Sequence, residues 1–171
     1  MGRKSASLTL QGDGKKFIGR TGSGHSVVLD DAEGDSGARP AELVPLALAG
    51  CAAMDVISIL RKKRQDVSLY RVEALGHQRD DADPHVFTGF EVTHIVEGPD
   101  IDEEAVRRSI ELSATRYCTV GATLATGIAE IHHSYILRTR GVELVGEVGV
   151  TGPYRHSGAP YLVPESVVAP V

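Results

Sequence analysis

The sequence predicts a fold of helices and antiparallel strands arranged around one central apolar helix. Residues 43–60 are apolar on nearly every side, which is typical of a helix with neighbours all round it. Short segments separated by glycine turns occupy residues 5–29, and residues 66–98 indicate a long strand pair. The chain of 171 residues is long enough for one domain with a core of useful size.

Residues 5–29 predict a small antiparallel meander. Its three segments read SLTL, KKFIGR and HSVVLD, and the turns between them contain GDG and TGSG. The polar residues 30–39 predict a loop. Pro40 suits the first turn of the following helix, and Pro45 predicts a kink or a late helix start, because proline has no amide N–H to donate.

Residues 66–78 and 86–98 predict two antiparallel strands joined by a turn that contains DDADPH. In a strand, alternate side chains point to opposite faces. The face of the second strand that we expect to be buried carries Val86, Thr88, Phe90, Val92, His94 and Val96.

The next segment predicts a helix. Asp100 followed by Glu103 has the form of a capping box, which predicts a helix that continues to about Thr115. Periodic residues mark the face that we expect this helix to bury, namely Val106, Ile110 and Ser113.

The C-terminal part of the chain changes in character after one more strand. A short helix following Cys118 is predicted to end at Gly127, and residues 129–139 predict the last strand of the domain. Residues 141–171 contain four of the eight prolines, so they predict a tail that cannot hold regular core structure for long. The expected domain therefore spans residues 1–140.

Charge and hydropathy exclude several classes of function. The formal net charge is −5 and the basic run RKKR at 61–64 is short, so a nucleic-acid partner is not expected. The N-terminal residues contain no apolar stretch, so a secretory signal is not expected. The longest apolar run of the chain is shorter than the roughly 20 residues that a membrane span needs. We therefore predict a cytoplasmic protein without a membrane partner, whose cysteines are reduced unless they cycle.

The only two cysteines are the candidate chemical groups. Cys51 lies in the middle of the apolar helix, and Cys118 lies at the joint between two predicted helices. Unreactive cysteines are among the most buried residues in proteins, so simple packing is the competing interpretation. A reactive Cys51 would need a partner sulfur, a positive charge that favours the thiolate, and a route for the substrate.

Two carboxylates accompany Cys51 on the predicted helix. Glu42 lies about two and a half turns earlier, where it could orient a cation or simply complement the helix dipole. Asp55 is at i+4 from Cys51 and therefore on the same side. Because an unpaired carboxylate raises the pKa of a neighbouring thiol, we interpret Asp55 as a structural, hydrogen-bonded residue.

The seven histidines do not show the spacing of a metal site. His132 and His133 are adjacent in a predicted strand, so they point to opposite faces. The other histidines are scattered, at positions 25, 77, 85, 94 and 156. GxSxG, P-loop and dinucleotide motifs are also absent, so we expect neither a metal nor a cofactor.

Four segments together resemble the OsmC/Ohr family, and within it the YhfA-like branch. They read PAELVPLALAGCAAMDVISILRKKRQDV, VFTGFEVTHIVEG, IDEEAVRRSIELSATRYCTVGATLA and AEIHHSYIL, and the resemblance covers about residues 5–139. The resemblance implies an α+β fold in which two chains form an intertwined homodimer, with antiparallel sheets wrapped around two central helices.

The same resemblance implies a thiol peroxidase that needs no metal or cofactor. By this resemblance, Cys51 attacks the distal oxygen of an organic hydroperoxide and becomes a sulfenic acid. Cys118 condenses with it to a disulfide, which an external dithiol reduces.

The resemblance also implies an arginine near the reactive sulfur. Glu42 matches the family carboxylate that holds this arginine. Where family members carry the arginine, this chain has Lys15 and Lys16, and a lysine does not reproduce the guanidinium fork. Arg20 and Arg39 are the nearby substitutes, and Arg39 lies three residues before Glu42.

Two other functions stay open at this point. One is a non-catalytic small-molecule-binding or stress-related protein on the same scaffold, with both cysteines serving as core residues. The other is a hydrolase that pairs Cys51 with a histidine, although no histidine has an evident partner in the sequence. The peroxidase hypothesis favours organic substrates, since the expected pocket is lined by Leu, Val, Ile and Met side chains.

Overall fold

The structure of the protein is a computed structural model that describes residues 3–126 and 130–149. The helices and strands follow one another as β1 Ala6–Leu10, β2 Phe17–Thr21, β3 Ser26–Leu29, α1 Leu43–Lys62, β4 Leu69–Gln78, β5 Phe87–Glu97, α2 Glu103–Leu112, α3 Thr119–Leu124, β6 Glu130–Thr139 and β7 Val142–Val148. The chain divides into two units between Val44 and Pro45. Each unit is described by itself.

The first unit is the meander that the glycine turns predict. Strands β1, β2 and β3 form an antiparallel sheet in that order. The polar loop that follows is tied back to this sheet by a bridge between Leu29 and Ala38. One 3-10 turn, Pro40–Glu42, then leads into α1.

The second unit contains a four-stranded sheet in the order β4-β5-β6-β7. The pairs β4/β5 and β6/β7 are antiparallel, whereas β5 and β6 run parallel. The expectation of purely antiparallel sheets is therefore wrong for this sheet. The reason lies in the connection, because the chain between β5 and β6 contains α2 and α3 and returns as a crossover.

One face of this sheet is buried. On β5 the buried side chains are Phe90, Val92, His94 and Val96, as the alternation predicts. Val86 and Thr88 were expected on the same face but are exposed, because both lie at the turn end of the β4/β5 hairpin.

Strand β7 lies within the segment predicted as a tail. It pairs with β6 from Thr139 opposite Val142 to His133 opposite Val148, so the prediction that residues 129–139 form the last strand is wrong. Residues 142–148 alternate between exposed and more buried positions, which is the pattern of a strand. The high proline content of residues 141–171 led to the prediction of a tail instead. Residues 150–171 lie outside the described residues.

Helix α1 buries a single stripe in the chain. It begins at Leu43, so Pro45 lies in the first turn, where a missing N–H interrupts no internal hydrogen bond. Its other faces carry large exposed side chains, including Leu46 at 64% and Met54 at 75% exposure. The buried stripe has i, i+4 spacing and consists of Leu48, Ala52, Val56 and Leu60.

The segment Pro40–Lys62 is long and apolar enough to cross a membrane by length and composition, and it is the one such helix in the part of the chain that the structure describes. The prediction that its apolar run is too short is therefore wrong. Core helices of soluble proteins pass the same test. Val56 and Leu60 belong to the main hydrophobic core, so α1 is a core helix.

The N-cap of helix α2 lies two residues after the predicted cap, Asp100. This N-cap is Asp102, whose side chain accepts a hydrogen bond from the amide of Glu104. Asp100 instead accepts from the side chain of Arg140, which follows β6. The prediction of a capping box at Asp100 and Glu103 is therefore wrong. The prediction of the buried face of α2 is confirmed, since Val106, Ile110 and Ser113 are all buried.

The main core of the second unit lies between α1, α2 and the buried face of the sheet. Burial of apolar surface is the dominant stabilising contribution to such a core. Its buried members are Val56, Leu60, Val96, Ile101, Ala105, Val106, Ile110, Tyr135, Leu137 and Val148.

Candidate functional site

The two cysteines, far apart in the sequence, lie side by side in the second unit. The Sγ atoms of Cys51 and Cys118 and a carboxylate oxygen of Asp55 all lie within 4.8 Å of one another. Both cysteines are free thiols. We refer to these three residues as the thiol cluster.

Helix α1 supplies two members of the thiol cluster. Cys51 and Asp55 are one helical turn apart, so both side chains project from the same side of α1. Both are half-buried. Neither side chain is therefore sealed from solvent.

A widened helical turn delivers the third member. The segment Ser113–Tyr117 is a π-helical turn, closed by a hydrogen bond of 2.9 Å from the amide of Cys118 to the carbonyl of Ser113. Cys118 then leaves the helical conformation and caps α3, accepting a hydrogen bond at Sγ from the amide of Gly121 at 3.2 Å. The prediction that Cys118 lies at a joint between two helices is confirmed.

Gly121 permits this close approach. A Cβ atom at this position would lie 3.2 Å from Sγ of Cys118 and 3.5 Å from Cδ1 of Leu48. The first distance is shorter than ordinary van der Waals contact, so a larger residue would displace the sulfur.

Asp55 is hydrogen-bonded, as its predicted structural role requires. Its Oδ2 accepts a hydrogen bond of 3.1 Å from Oγ of Ser113, a residue 58 positions away. Burial raises the pKa of Asp55 above its usual value, and the bond from Ser113 opposes that shift. The sequence placed Ser113 on a buried face but gave no sign that it would meet Asp55.

The two thiols differ in access to solvent. Cys118 is only 2% exposed. Burial raises the pKa of Cys118 to about 12, Cys51 and Asp55 add to the rise, and the amide of Gly121 opposes it. Cys118 is therefore a protonated thiol at neutral pH, and the half-buried Cys51 is the sulfur that a solute reaches first.

Arg39 and Glu42, the other two predicted site residues, lie in the first unit. The guanidinium of Arg39 donates a hydrogen bond of 2.8 Å to Asp35. The carboxylate of Glu42 accepts one of 2.9 Å from the backbone amide of Arg39 and so caps the turn before α1. A role for either residue beside Cys51 stays a prediction.

The other candidate cations also belong to the first unit. Lys15 forms an ion pair of 3.1 Å with Asp31. Lys16 precedes β2 and Arg20 lies within it. Which of them serves Cys51 stays a prediction as well.

A second polar group lies in the core of the second unit, which also contains the thiol cluster. Oη of Tyr70 and Nδ1 of His94 are 2.8 Å apart, and the ring of His94 stacks on that of His133 with centroids 5.8 Å apart. We refer to these three residues as the imidazole row. His133 is buried and its neighbour His132 is exposed, so the prediction that they point to opposite faces is confirmed.

The imidazole row is more deeply buried than the thiol cluster. His94 is 0% and His133 7% exposed, and two ring nitrogens, Nε2 of His94 and Nδ1 of His133, have no hydrogen-bond partner among the residues that the structure describes. Burial lowers the pKa of His94 to about 3 and that of His133 to about 4. Sequence reasoning placed His94 on a buried face but missed its stacking on His133, because the pairing of β5 with β6 was not foreseen.

The donor set of the thiol cluster is also one that metal ions use. Histidine spacing gave no reason to expect a metal, but this cluster consists of two sulfurs and a carboxylate, and its distances are short enough to hold one ion. The signal available in the sequence was the i, i+4 pair of Cys51 and Asp55.

Comparison with known proteins identifies the family. Residues 33–132 match the family described as OsmC-like protein. Protein YhfA of Escherichia coli strain K12 is 41% identical over 123 residues, which cover 72% of this chain and 90% of that protein. The resemblance to the YhfA-like branch is thus confirmed.

Solved structures share the fold. A hypothetical protein from Aquifex aeolicus VF5 superimposes with a TM-score of 0.70 at 24% identity, covering 81% of this chain and 98% of that chain. An organic hydroperoxide resistance protein OsmC from Legionella pneumophila gives a TM-score of 0.58 at 10% identity, covering 81% and 98%. Both cysteines lie within the residues that match the family, and the chain belongs to the OsmC-like family.

Proposed function

We propose that the protein is a cysteine-based thiol peroxidase that reduces organic hydroperoxides. The observation that carries this proposal is the pair of sulfurs within 4.8 Å, contributed by two separate helical segments. Membership of the OsmC-like family supports it, because a structural relative is named as an organic hydroperoxide resistance protein.

In the first step the thiolate of Cys51 attacks the distal oxygen of the hydroperoxide. A sulfur–oxygen bond forms, the oxygen–oxygen bond breaks, and the alkoxide leaves with a proton as the alcohol. Cys51 becomes a sulfenic acid. We assign this role to Cys51 because it is half-buried whereas Cys118 is almost fully enclosed.

In the second step the sulfur of Cys118 attacks the sulfur of the sulfenic acid. A disulfide forms, the sulfur–oxygen bond breaks, and hydroxide leaves with the thiol proton as water. A disulfide needs a sulfur–sulfur distance of about 2.05 Å, so a small approach of the two side chains is sufficient. Proximity compensates for the weak nucleophilicity of a buried thiol.

An external dithiol completes the cycle by thiol–disulfide exchange and leaves as its own disulfide. The net reaction converts one hydroperoxide and one dithiol into an alcohol, water and one disulfide. Such dithiols are maintained in the reducing cytoplasm, which is where we place the protein.

A positive charge is the remaining requirement, since the thiolate is the nucleophile. We assign it to Arg39, because Arg39 and Glu42 both lie within the segment that matches the family. The carboxylate of Glu42 binds the backbone amide of Arg39, so the guanidinium would have to leave Asp35 to serve Cys51. Replacing Arg39 with lysine keeps the charge but loses the planar fork, so activity should fall in Arg39→Lys and fall further in Arg39→Gln.

The exposed apolar faces of α1 support a homodimer. Leu46 and Met54 are large side chains with 64% and 75% exposure on a helix of otherwise apolar character. A second copy that packs against these faces would remove them from water. Light scattering should give twice the chain mass, and Met54→Glu should shift the protein towards monomer, whereas a dimer unaffected by this change would contradict the assignment of this face.

Intact mass measurement tests the peroxidase. The reduced protein treated with a modest excess of tert-butyl hydroperoxide should lose about two mass units, which corresponds to one disulfide. Cys51→Ser should show no loss, and Cys118→Ser should gain about 16 mass units or more as the sulfenic acid accumulates and oxidises further. Ser58→Ala, an exposed change on α1, serves as the control.

The same measurement distinguishes the peroxidase from the alternative function. A reduced protein whose mass does not change would mean that the cysteines are packing residues. That result would favour a non-catalytic small-molecule-binding protein on this fold.

A further inference from the structure

The thiol cluster has the donor atoms of a zinc site. Zinc prefers thiolate, imidazole and carboxylate ligands in tetrahedral geometry, with zinc–sulfur distances of about 2.3 Å. Two thiolates bound in this way lie about 3.8 Å apart. The cluster brings two sulfurs and one carboxylate oxygen within 4.8 Å of one another, so small side-chain adjustments reach that geometry.

The ligands are held by neighbouring groups. Oγ of Ser113 donates to Oδ2 of Asp55, and the amide of Gly121 donates to Sγ of Cys118. Such outer hydrogen bonds orient metal ligands and raise the affinity of a site. Cys51 lies one turn before Asp55 on helix α1, so the helix backbone fixes the spacing between these two ligands.

Charge and access are also suitable. Once Cys51 and Cys118 lose their protons, two thiolates and the carboxylate of Asp55 carry three negative charges, and a divalent cation offsets two of them. Cys51 and Asp55 are half-buried, whereas Cys118 is enclosed. Three protein ligands leave the fourth tetrahedral position to solvent, as in zinc sites that exchange ligands. The soft sulfurs select zinc over magnesium or calcium.

We propose that the reduced thiol cluster binds one zinc ion through Cys51, Cys118 and Asp55, with solvent as the fourth ligand. Binding forms two zinc–sulfur bonds, breaks two sulfur–hydrogen bonds and releases both protons to solvent, without any change of oxidation state. The proposal does not rest on peroxide reduction. It has one consequence for it, since the zinc-bound sulfurs are unavailable to form a disulfide.

Cobalt(II) is the probe for this site, because it occupies zinc sites and reports its ligands by absorption. Titrating the reduced, tag-free full chain with cobalt(II) should produce a sulfur-to-metal charge-transfer band that saturates at one ion per chain, and equimolar zinc should abolish it. Histidine sites elsewhere in the chain give no sulfur band.

Variants then identify the ligands. The band should weaken in Cys51→Ser and in Cys118→Ser and vanish when both changes are combined. Asp55→Asn should keep the sulfur band but weaken binding by about 10-fold or more. Asp66→Asn, an exposed carboxylate that follows α1, is the matched control and should bind like the unchanged protein.

Three results would overturn the proposal: a titration without a sulfur band, a band that survives in the double cysteine variant, or an affinity that Asp55→Asn leaves unchanged. If Cys118→Ser fails to fold, alkylation of Cys51 in the native protein is the substitute test and should weaken the band as Cys51→Ser does, and an unchanged band would overturn the proposal. The mass test with hydroperoxide is run without metal, so failure of the peroxidase and failure of the zinc site are recognised separately.

Discussion

The thiol cluster and the imidazole row are both polar groups of the second unit, but their environments differ. In the thiol cluster, Cys51 and Asp55 are half-buried, and the buried Cys118 has a donor in the amide of Gly121. In the imidazole row, both histidines are buried, and within residues 3–126 and 130–149 each has a ring nitrogen without a hydrogen-bond partner.

This difference separates chemistry from stability. Groups that react with solutes need access and hydrogen bonds that hold them in place. Buried imidazoles with lowered pKa values stay neutral at neutral pH, and their effect is on the free energy of unfolding rather than on a reaction. Changes in the thiol cluster should therefore alter reactivity, whereas changes in the imidazole row should alter stability.

The largest expected effect is the dependence of stability on pH. The folded pKa values of His94 and His133, about 3 and about 4, lie below the unfolded value of 6.5. The unfolded chain therefore binds more protons below pH 6.5, so this stability is fully present above pH 6.5 and is lost as the pH falls towards 4. Urea unfolding should show no loss from these histidines between pH 8 and pH 7, and below pH 6.5 a fall that approaches about 1.4 kcal/mol per pH unit for each histidine.

A stability that stays constant between pH 6.5 and pH 5 would contradict the burial of these rings. Oxidation of Cys51 by hydroperoxide at pH 8 is the matching measurement on the thiol cluster. At that pH both histidines are neutral, so acid does not destabilise the fold and the rate of oxidation should be unaffected.

The next effect concerns the hydrogen bond within the imidazole row. His94→Leu leaves the hydroxyl of Tyr70 buried without its partner, so the free energy of unfolding at pH 8 should fall by about 1–3 kcal/mol. Adding Tyr70→Phe removes the second polar group, so the double variant should recover most of this loss. Denaturant unfolding of both variants measures the difference, and a double variant no more stable than the single one would show that the bond is not the cause.

The third effect lies in the thiol cluster. In Gly121→Ala the new methyl group would lie 3.2 Å from Sγ of Cys118 and should displace it. Formation of the Cys51–Cys118 disulfide after hydroperoxide treatment should slow by about 10-fold or more, because misplacing a reacting atom is costly. Quenched-flow mass measurement gives the rate. Gly14→Ala, where no atom lies within 4 Å, is the control, and equal rates in both variants would contradict the prediction.

The smallest effect is expected from Ser113→Ala. It removes the hydrogen bond to Asp55 and should lower the free energy of unfolding by about 0.5–1.5 kcal/mol. Ser109→Ala is a matched control on α2, since Ser109 donates to the carbonyl of Ala105 and does not involve the thiol cluster. A loss of cobalt affinity in Ser113→Ala but not in Ser109→Ala would show that the hydrogen bond to Asp55 positions the thiol cluster. Equal cobalt affinity in both variants would contradict that role.

Local patterns predicted most of the elements. The glycine turns predicted the first sheet, and the alternation of β5 predicted that Phe90, Val92 and His94 share a buried face. The cap of α2 was misplaced because Asp100 and Asp102 both offer a suitable side chain, and the sequence did not show that Asp100 binds Arg140.

The thiol cluster was only partly predictable. The i, i+4 spacing placed Asp55 on the side of Cys51, and the resemblance to the family paired Cys51 with Cys118. Ser113 was missed because its hydrogen bond to Asp55 joins segments 58 residues apart in the chain. Gly121 lies only three residues after Cys118, and its contact was missed because the sequence did not predict that Cys118 caps α3.

The sequence by itself determined most of the strands and helices, β7 excepted, and that α1 is the apolar element of the fold, because periodicity and turn residues act over a few neighbouring positions. The tertiary structure decided which distant groups meet. The parallel pairing of β5 with β6 is set by the path of the chain through α2 and α3, and the approach of Cys118 to Cys51 depends on a π-helical turn and a glycine. Such contacts are stabilised by burial across the whole unit, which leaves no local pattern to read.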